Sequence, residues 1–331
     1  MNTKTNANDQ NKIQHRKGMD ALRGIGITGI VLYHLFPSLF PGGFLGVPLF
    51  FVLSGYLMFV TSEHSWRRGT FRVGNYYKKR IRKILPPLFV MVMATCCYLT
   101  LTHSSYLIGI RQEICSIFLG YDNWWQIGQH ASYFSKLAAA SPFTHLWFLA
   151  VEIQFYLLWP ILFILYKKGC QIFGGKKMCF AFLLLALLSA GRMLYLYVPG
   201  GDPSRVYYGT DTMAFPILLG MFLGALRKEY PGLQLPRRGN DALGTGHPLS
   251  LFSVFVLILC ILFLTIDGQL PFLYQGGMFL ISLFYAGMIH LIENQRNTRE
   301  LLPRIPLLSL LGKKSYGIYL WHYPIMVLAL I

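Results

Sequence analysis

The chain has 331 residues, of which 54% are hydrophobic and only 13% charged. A soluble domain carries about a quarter of its residues as charge, so an ordinary soluble fold is excluded. The formal charge of +17 would suit a nucleic-acid partner, but its distribution points elsewhere. Apolar runs of the roughly 17 to 25 residues that cross a bilayer as a helix recur along the chain. They predict one all-α, polytopic transmembrane bundle of about nine to ten spans.

The first 17 residues, MNTKTNANDQNKIQHRK, are polar and read as a disordered cytoplasmic tail. Spans are expected near 23–40, 44–61, 84–103, 146–166, 178–198, 212–226, 249–266, 272–292 and 314–331. The first apolar run reads as a span, because it is long for a signal sequence and lacks a small-residue cleavage site. With the N-terminus in the cytoplasm, all of the 30 basic residues except Arg111, Lys136, Arg192 and Arg205 fall on cytoplasmic segments and span ends. That is the positive-inside pattern, and it accounts for the charge without nucleic acid. The six cysteines are scattered, with no CxxC and no metal spacing, and read as buried apolar thiols. The chain stops inside an apolar helix, WHYPIMVLALI, so either the last span ends the protein or the chain is a piece of a longer one.

Span one contains LRGIGITGIVLYH. Arg23 and His34 are eleven positions apart, which returns them to one helix face about 16 Å apart along the axis. Gly24, Gly26 and Gly29 allow close helix approach. Arg23 is either an interfacial anchor or a functional cation, and His34 either a packing histidine or a reactive imidazole. Ionisable groups at membrane depth are costly and usually face a cavity or partner.

The stretch YYKKRIRKILPP, 76–87, concentrates Arg80, Arg82 and Lys83 before the third span. Lipid headgroups would explain it; so would a polyphosphate, whose oxygens match arginine forks. The outer segment near 104–144 carries Tyr121, Trp124, Trp125 and Tyr133, which are either an interfacial belt or platforms for sugar rings. THLWFLAVEIQFYLLWP, 144–160, places His145 and Glu152 on one face of span four, about 10 Å apart. A carboxylate there costs about 2.5 to 3.5 kcal/mol to insert. It is either a structural pair or a group that tunes a histidine.

These pieces resemble, in order, the acyltransferase 3 family of integral membrane O-acyltransferases. To those above are added GGFLGVPLFFVLSGYLM (42–58), GTDTMAFPILLGMFLG (209–224) and KKSYGIYLWHYPIM (313–326). YHLFPSLFPGGFLGVPLFFVLSGYLM is similar to Gram-positive members that acetylate peptidoglycan or other wall glycans. The resemblance implies a multi-pass enzyme of the bacterial plasma membrane, surrounded by its lipids. It would move an acyl group, usually acetyl, from cytoplasmic acyl-CoA to a glycan hydroxyl outside, with acetyl-CoA as donor and no metal. It implies an essential Arg23 and His34, and acyl-CoA binding at Arg80 and Lys83, beside Arg82. Lys83 stands where the family's motif has a second arginine, which keeps the charge but loses the bidentate fork. Pro48 replaces a commonly acidic residue, and Met213 stands where an arginine is common. Glu152 is expected to act with His34 in a shared cavity, and His145, Trp147, Trp124 and His322 to contact the acceptor. Some relatives continue into an extracytoplasmic SGNH esterase-like domain; no GDS motif occurs here, which adds weight to reading the chain as a piece of a longer protein with such a domain or partner. Two other function classes remain open on sequence: a proton-coupled glycan exporter using Glu152, His34 and His322, and a non-catalytic scaffold in wall synthesis.

Overall fold

The computed structural model describes residues 2–134, 141–233, 247–294 and 306–330, with residues 2–17, 106, 233 and 247–252 as backbone only. Among them there is no β-strand. Helix α1 spans Asn2–Leu35, α2 Gly46–Arg67 and α3 Val73–Thr102. Two short helices follow, α4 (Ile110–Leu119) and α5 (Asp122–Gly128). Then come α6 (Trp147–Phe173), α7 (Gly175–Leu196), the short α8 (Ser204–Tyr208), α9 (Phe215–Glu229), α10 (His247–Thr265), α11 (Met278–Asn294) and α12 (Pro306–Leu330).

Each of the nine expected spans overlaps a helix, although the first helix ends at Leu35, short of the expected 40. Five segments of the described residues are long and apolar enough to cross a membrane: Gly43–Arg67, Val73–Thr102, Thr144–Phe173, Gly175–Leu196 and Leu273–Asn294. The other four expected spans are α1, α9, α10 and α12. The backbone of α1 is helical from Asn2, where the sequence suggested a tail. Lys136, Arg237, Arg238, Arg296, Arg299 and Arg304, all counted in the charge pattern, lie outside the described residues.

Close backbone approach builds the bundle. A Cβ on Gly24 would lie 2.1 Å from the Leu308 carbonyl oxygen, and one on Gly312 would lie 1.6 Å from that of Asp20. These contacts join α1 to α12, and only glycine permits them. A second seam joins α2 to α9. There a Cβ on Gly55 would meet the Ile217 oxygen at 1.9 Å, and one on Gly220 the Val52 oxygen at 2.0 Å. Around these seams the interior is filled by large aromatics, including the fully buried Trp147, Trp159, Phe51, Phe59 and Tyr207.

Two departures from the sequence reading bear on the site. Helix α3 begins at Val73, not near 84, so the basic run 76–83 is helical and continues through Pro86 and Pro87. Proline lacks an N–H, so these two release the carbonyls of Arg82 and Lys83 from the helix ladder without ending it. In α12, Pro324 likewise releases the Leu320 carbonyl.

Candidate functional site

The parallel seam of α1 and α12 sets the site. Asp20 lies beside Gly312 at one end, and His34 meets His322 at the other, with His34 Nδ1 3.1 Å from His322 Nε2. Their ring centroids are 5.1 Å apart. His145, on the turn Thr144–Leu146 that opens α6, comes within 5.4 Å of the His322 ring and stacks on Tyr323 at 5.0 Å. The Tyr319 hydroxyl donates to the His145 carbonyl and so pins that turn to α12. Both His145 nitrogens are buried without a partner in hydrogen-bonding geometry. The carbonyls of Tyr319 and Leu320 face its ring, the latter being the one that Pro324 releases. Three candidate histidines from distant parts of the chain thus form one cluster.

An aromatic wall continues from it. Tyr133 stacks on Tyr33 at 6.0 Å, and lies 4.8 Å from Tyr207 and 5.8 Å from Trp147. Trp147 sits inside this wall, fully buried against Tyr207 and Tyr208. Trp124 is apart from it, half-exposed on α5, with the Arg205 guanidinium 5.2 Å over its ring.

The second group gathers around Glu152. Its carboxylate accepts from the Ser54 hydroxyl, and from the Tyr156 hydroxyl at 3.3 Å. The Arg80 guanidinium lies 4.4 Å over the Tyr156 ring. Lys83 is within electrostatic reach of Arg23, Arg80, Glu152 and Asp20, and Arg23 pairs with Asp20 at 3.5 Å. Arg80 and Lys83 are three apart on α3 and share a face; Arg80 is half-buried, and Arg82 and Lys83 are exposed. The sequence reading needs correction here. Glu152 joins the cations at the Arg23 level, about two turns deeper than His145, and among the described residues no recorded contact connects it to His34. The side chain that meets His34 Nδ1 is an imidazole, His322, in place of the expected carboxylate.

Sequence reasoning missed Ser54, Tyr156, Tyr319 and Tyr323 as neighbours of these groups. It also missed a buried carboxyl pair in the outer segment. Glu113 accepts from Ser141 at 2.6 Å and Gln126 at 3.1 Å. Asp122, wholly buried, has Oδ1 3.1 Å from the Ser116 hydroxyl, and its Oδ2 has no partner. Burial first, and the neighbouring Glu113 second, push the Asp122 carboxyl well above the usual range. Ser116 already lies 2.7 Å from the Glu113 carbonyl as donor. A hydroxyl has one proton to give, so a protonated Asp122 donating to Ser116 completes the chain.

A cavity of about 420 Å³ lies between α2 and α9, lined by Tyr56, Glu63, Arg67, Arg227 and Lys228 among others. Its charges are largely answered from within: Glu63 meets Arg67 at 3.0 Å, Lys167 at 3.2 Å and Lys228 at 3.8 Å. Among the described residues no group of three His, Cys, Asp or Glu side chains is placed to hold a metal ion.

Residues 16–329 fit the family model described as an acyltransferase domain. The chain belongs to the acyltransferase 3 family. It is 38% identical to the putative peptidoglycan O-acetyltransferase YrhL of Bacillus subtilis, over 96% of this chain and 50% of that protein. It is 36% identical to the peptidoglycan O-acetyltransferase OatA of Listeria monocytogenes, over 94% of this chain and 49% of that protein. A putative O-acetyltransferase of Staphylococcus aureus is 33% identical, over 95% and 51%. The chain therefore spans about half the length of these relatives. No solved structure matches it. Acyltransferase 3 membership makes this an acyl-transferring enzyme fold in a multi-pass membrane protein.

Proposed function

We propose that this protein transfers an acetyl group from acetyl-CoA, bound on the Arg23 side, to a hydroxyl of a cell-wall glycan on the His34 side. One observation carries the reading: a single face of α1 presents Arg23 among Arg80, Lys83 and Glu152 at one end, and His34 in a histidine cluster at the other. The positive-inside distribution favours a cytoplasmic Arg23 end, where acyl-CoA is available. Arg80 and Lys83 would hold CoA phosphates, with Arg82 at the exposed rim. Glu152 would hold Arg80 in place. His34 would take the proton of the acceptor hydroxyl as its oxygen bonds the acyl carbon. The carbon–sulfur bond then breaks, and the thiolate leaves and recovers a proton as CoA thiol. His145 and Trp147 would line the acceptor end, and Trp124 would offer an outer platform. Peptidoglycan is the favoured acceptor, because two relatives carry it in their names. The plasma membrane of a bacterium, and a further extracytoplasmic domain or partner that receives or places the glycan, fit the same reading.

The test uses purified protein in proteoliposomes with radiolabelled acetyl-CoA and a muropeptide acceptor. The expected result is labelled acceptor and free CoA, both lost in His34→Ala with membrane insertion unchanged. Equal transfer in wild type and His34→Ala would remove His34 from the chemistry. Glycan movement without release of CoA would replace transfer by export.

A further inference from the structure

The partners of His322 fix where the protons sit. Its Nδ1 lies 2.8 Å from the Tyr319 carbonyl and 3.2 Å from the Ile318 carbonyl. A carbonyl only accepts, so His322 Nδ1 carries the hydrogen. The neutral ring then has its lone pair on Nε2, which faces His34 Nδ1 at 3.1 Å. A bond there requires the hydrogen on His34 Nδ1. The lone pair of His34 is thereby placed on Nε2, for which no hydrogen bond is recorded among the described residues. The chain runs from His34 Nδ1–H to His322 Nε2, and from His322 Nδ1–H to the Tyr319 carbonyl.

We infer that His322 is a positioning residue that selects the reactive tautomer of His34. It fills the place that a carboxylate or backbone carbonyl fills behind other reactive imidazoles. The inference rests on the acetyl-transfer reading, with His34 as base. A neutral acceptor behind the base has a consequence that a carboxylate would not. Protonation of His322 removes its Nε2 lone pair and sets a hydrogen against the His34 Nδ1–H, so the tautomer is lost. The device works only while both imidazoles are neutral. The other titratable groups around the pair are Tyr33 on α1, Tyr133, His145 on the turn before α6, and Tyr319 and Tyr323 on α12. The tyrosines are neutral at and below pH 7, and no carboxylate or fixed cation has a recorded contact with either ring among the described residues. The glycine contacts of Gly24 and Gly312 hold α1 and α12 close enough for this direct ring-to-ring bond.

Two variants test it in the proteoliposome assay with acetyl-CoA and muropeptide. His322→Leu removes the acceptor, and kcat falls about 100-fold or more, as for a base held in the wrong tautomer. The KM for acetyl-CoA stays unchanged, because the cationic group is about 16 Å away along α1. His322→Gln offers an oxygen to His34 Nδ1–H and an N–H to the Tyr319 carbonyl, and recovers kcat to within about tenfold of wild type. The pH profile separates orientation from simple packing. The acid limb of wild-type kcat/KM steepens from the first power toward the square of proton concentration once pH falls below both apparent pKa values of the pair, because either protonated imidazole is inactive. In His322→Gln it falls with the first power. A wild-type rate in His322→Leu, or a second-power limb surviving in His322→Gln, overturns the inference while leaving the acetyl-transfer reading in place. No transfer by the wild-type protein overturns both.

Discussion

Gly55→Ala tests whether the glycine seams hold the site in register. The added Cβ would lie 1.9 Å from the Ile217 carbonyl oxygen and 2.8 Å from its carbon. Ordinary contact begins near 3.4 Å, so α2 and α9 must part by about 1.5 Å. The obstacle is backbone and cannot swing aside. Overpacking of a filled interior costs about 1 to 3 kcal/mol. Parting two helices also weakens many dispersion contacts of about 0.1 to 0.2 kcal/mol each along the seam. A total of about 3 kcal/mol or more follows, which lowers the melting temperature by roughly 5 to 10 °C. Ser54, next in chain, moves with the α2 backbone and loses its bond to Glu152, so acetyl transfer falls as well. The control is Gly191→Ala in α7, where an added Cβ meets nothing within 4 Å and should stabilise by about 0.5 to 1 kcal/mol. Thermal unfolding in detergent, followed by size-exclusion chromatography and the transfer assay, gives both readouts. A Gly55→Ala protein that melts and transfers like wild type would refute the contact on which the seam argument stands.

Two further outcomes follow from the polar groups. Glu152→Gln keeps an acceptor for Ser54 but removes the charge beside Arg80 and Lys83. Losing one charge-assisted interaction of about 1.5 kcal/mol should raise the KM for acetyl-CoA about tenfold; an unchanged KM with a reduced kcat would return Glu152 to the histidine end. Asp122 should make stability fall with rising pH. Its folded-state carboxyl is raised by burial and then by Glu113, so the folded protein binds the extra proton between the ordinary carboxylate range and that raised value. Stability is fully present below this window and is lost as pH rises through it. Asp122→Asn should flatten the melting-temperature profile over that window, and an unaltered slope would exclude Asp122 as its source.

How far the sequence could be read depends on whether a statement concerned one helix or two. Arg23 and His34 share a face because a single unbroken helix joins them, and 3.6 residues per turn settle the matter. The helices themselves were legible from apolar run length. Pairings between helices were not: His34 and His322 are 288 positions apart, and Ser54 and Glu152 are 98 apart. No periodicity links such residues, and the histidine in YLWHYP carries no mark of its partner. Glu152 is the instructive case, because the information to place it was present. Packing the polar faces of spans one and four together suggested one shared cavity with His34. Depth says otherwise. His145 opens α6 at the level of His34 and His322, and Glu152 follows seven residues later, about 10 Å further along the axis. Arg23 lies about 16 Å from His34 in the same direction. Glu152 must therefore sit nearer the level of Arg23 whichever way its face is turned, and there a carboxylate finds Arg80 and Lys83. Face is an angular quantity and depth an axial one; within a membrane the axial one decides which charges can meet.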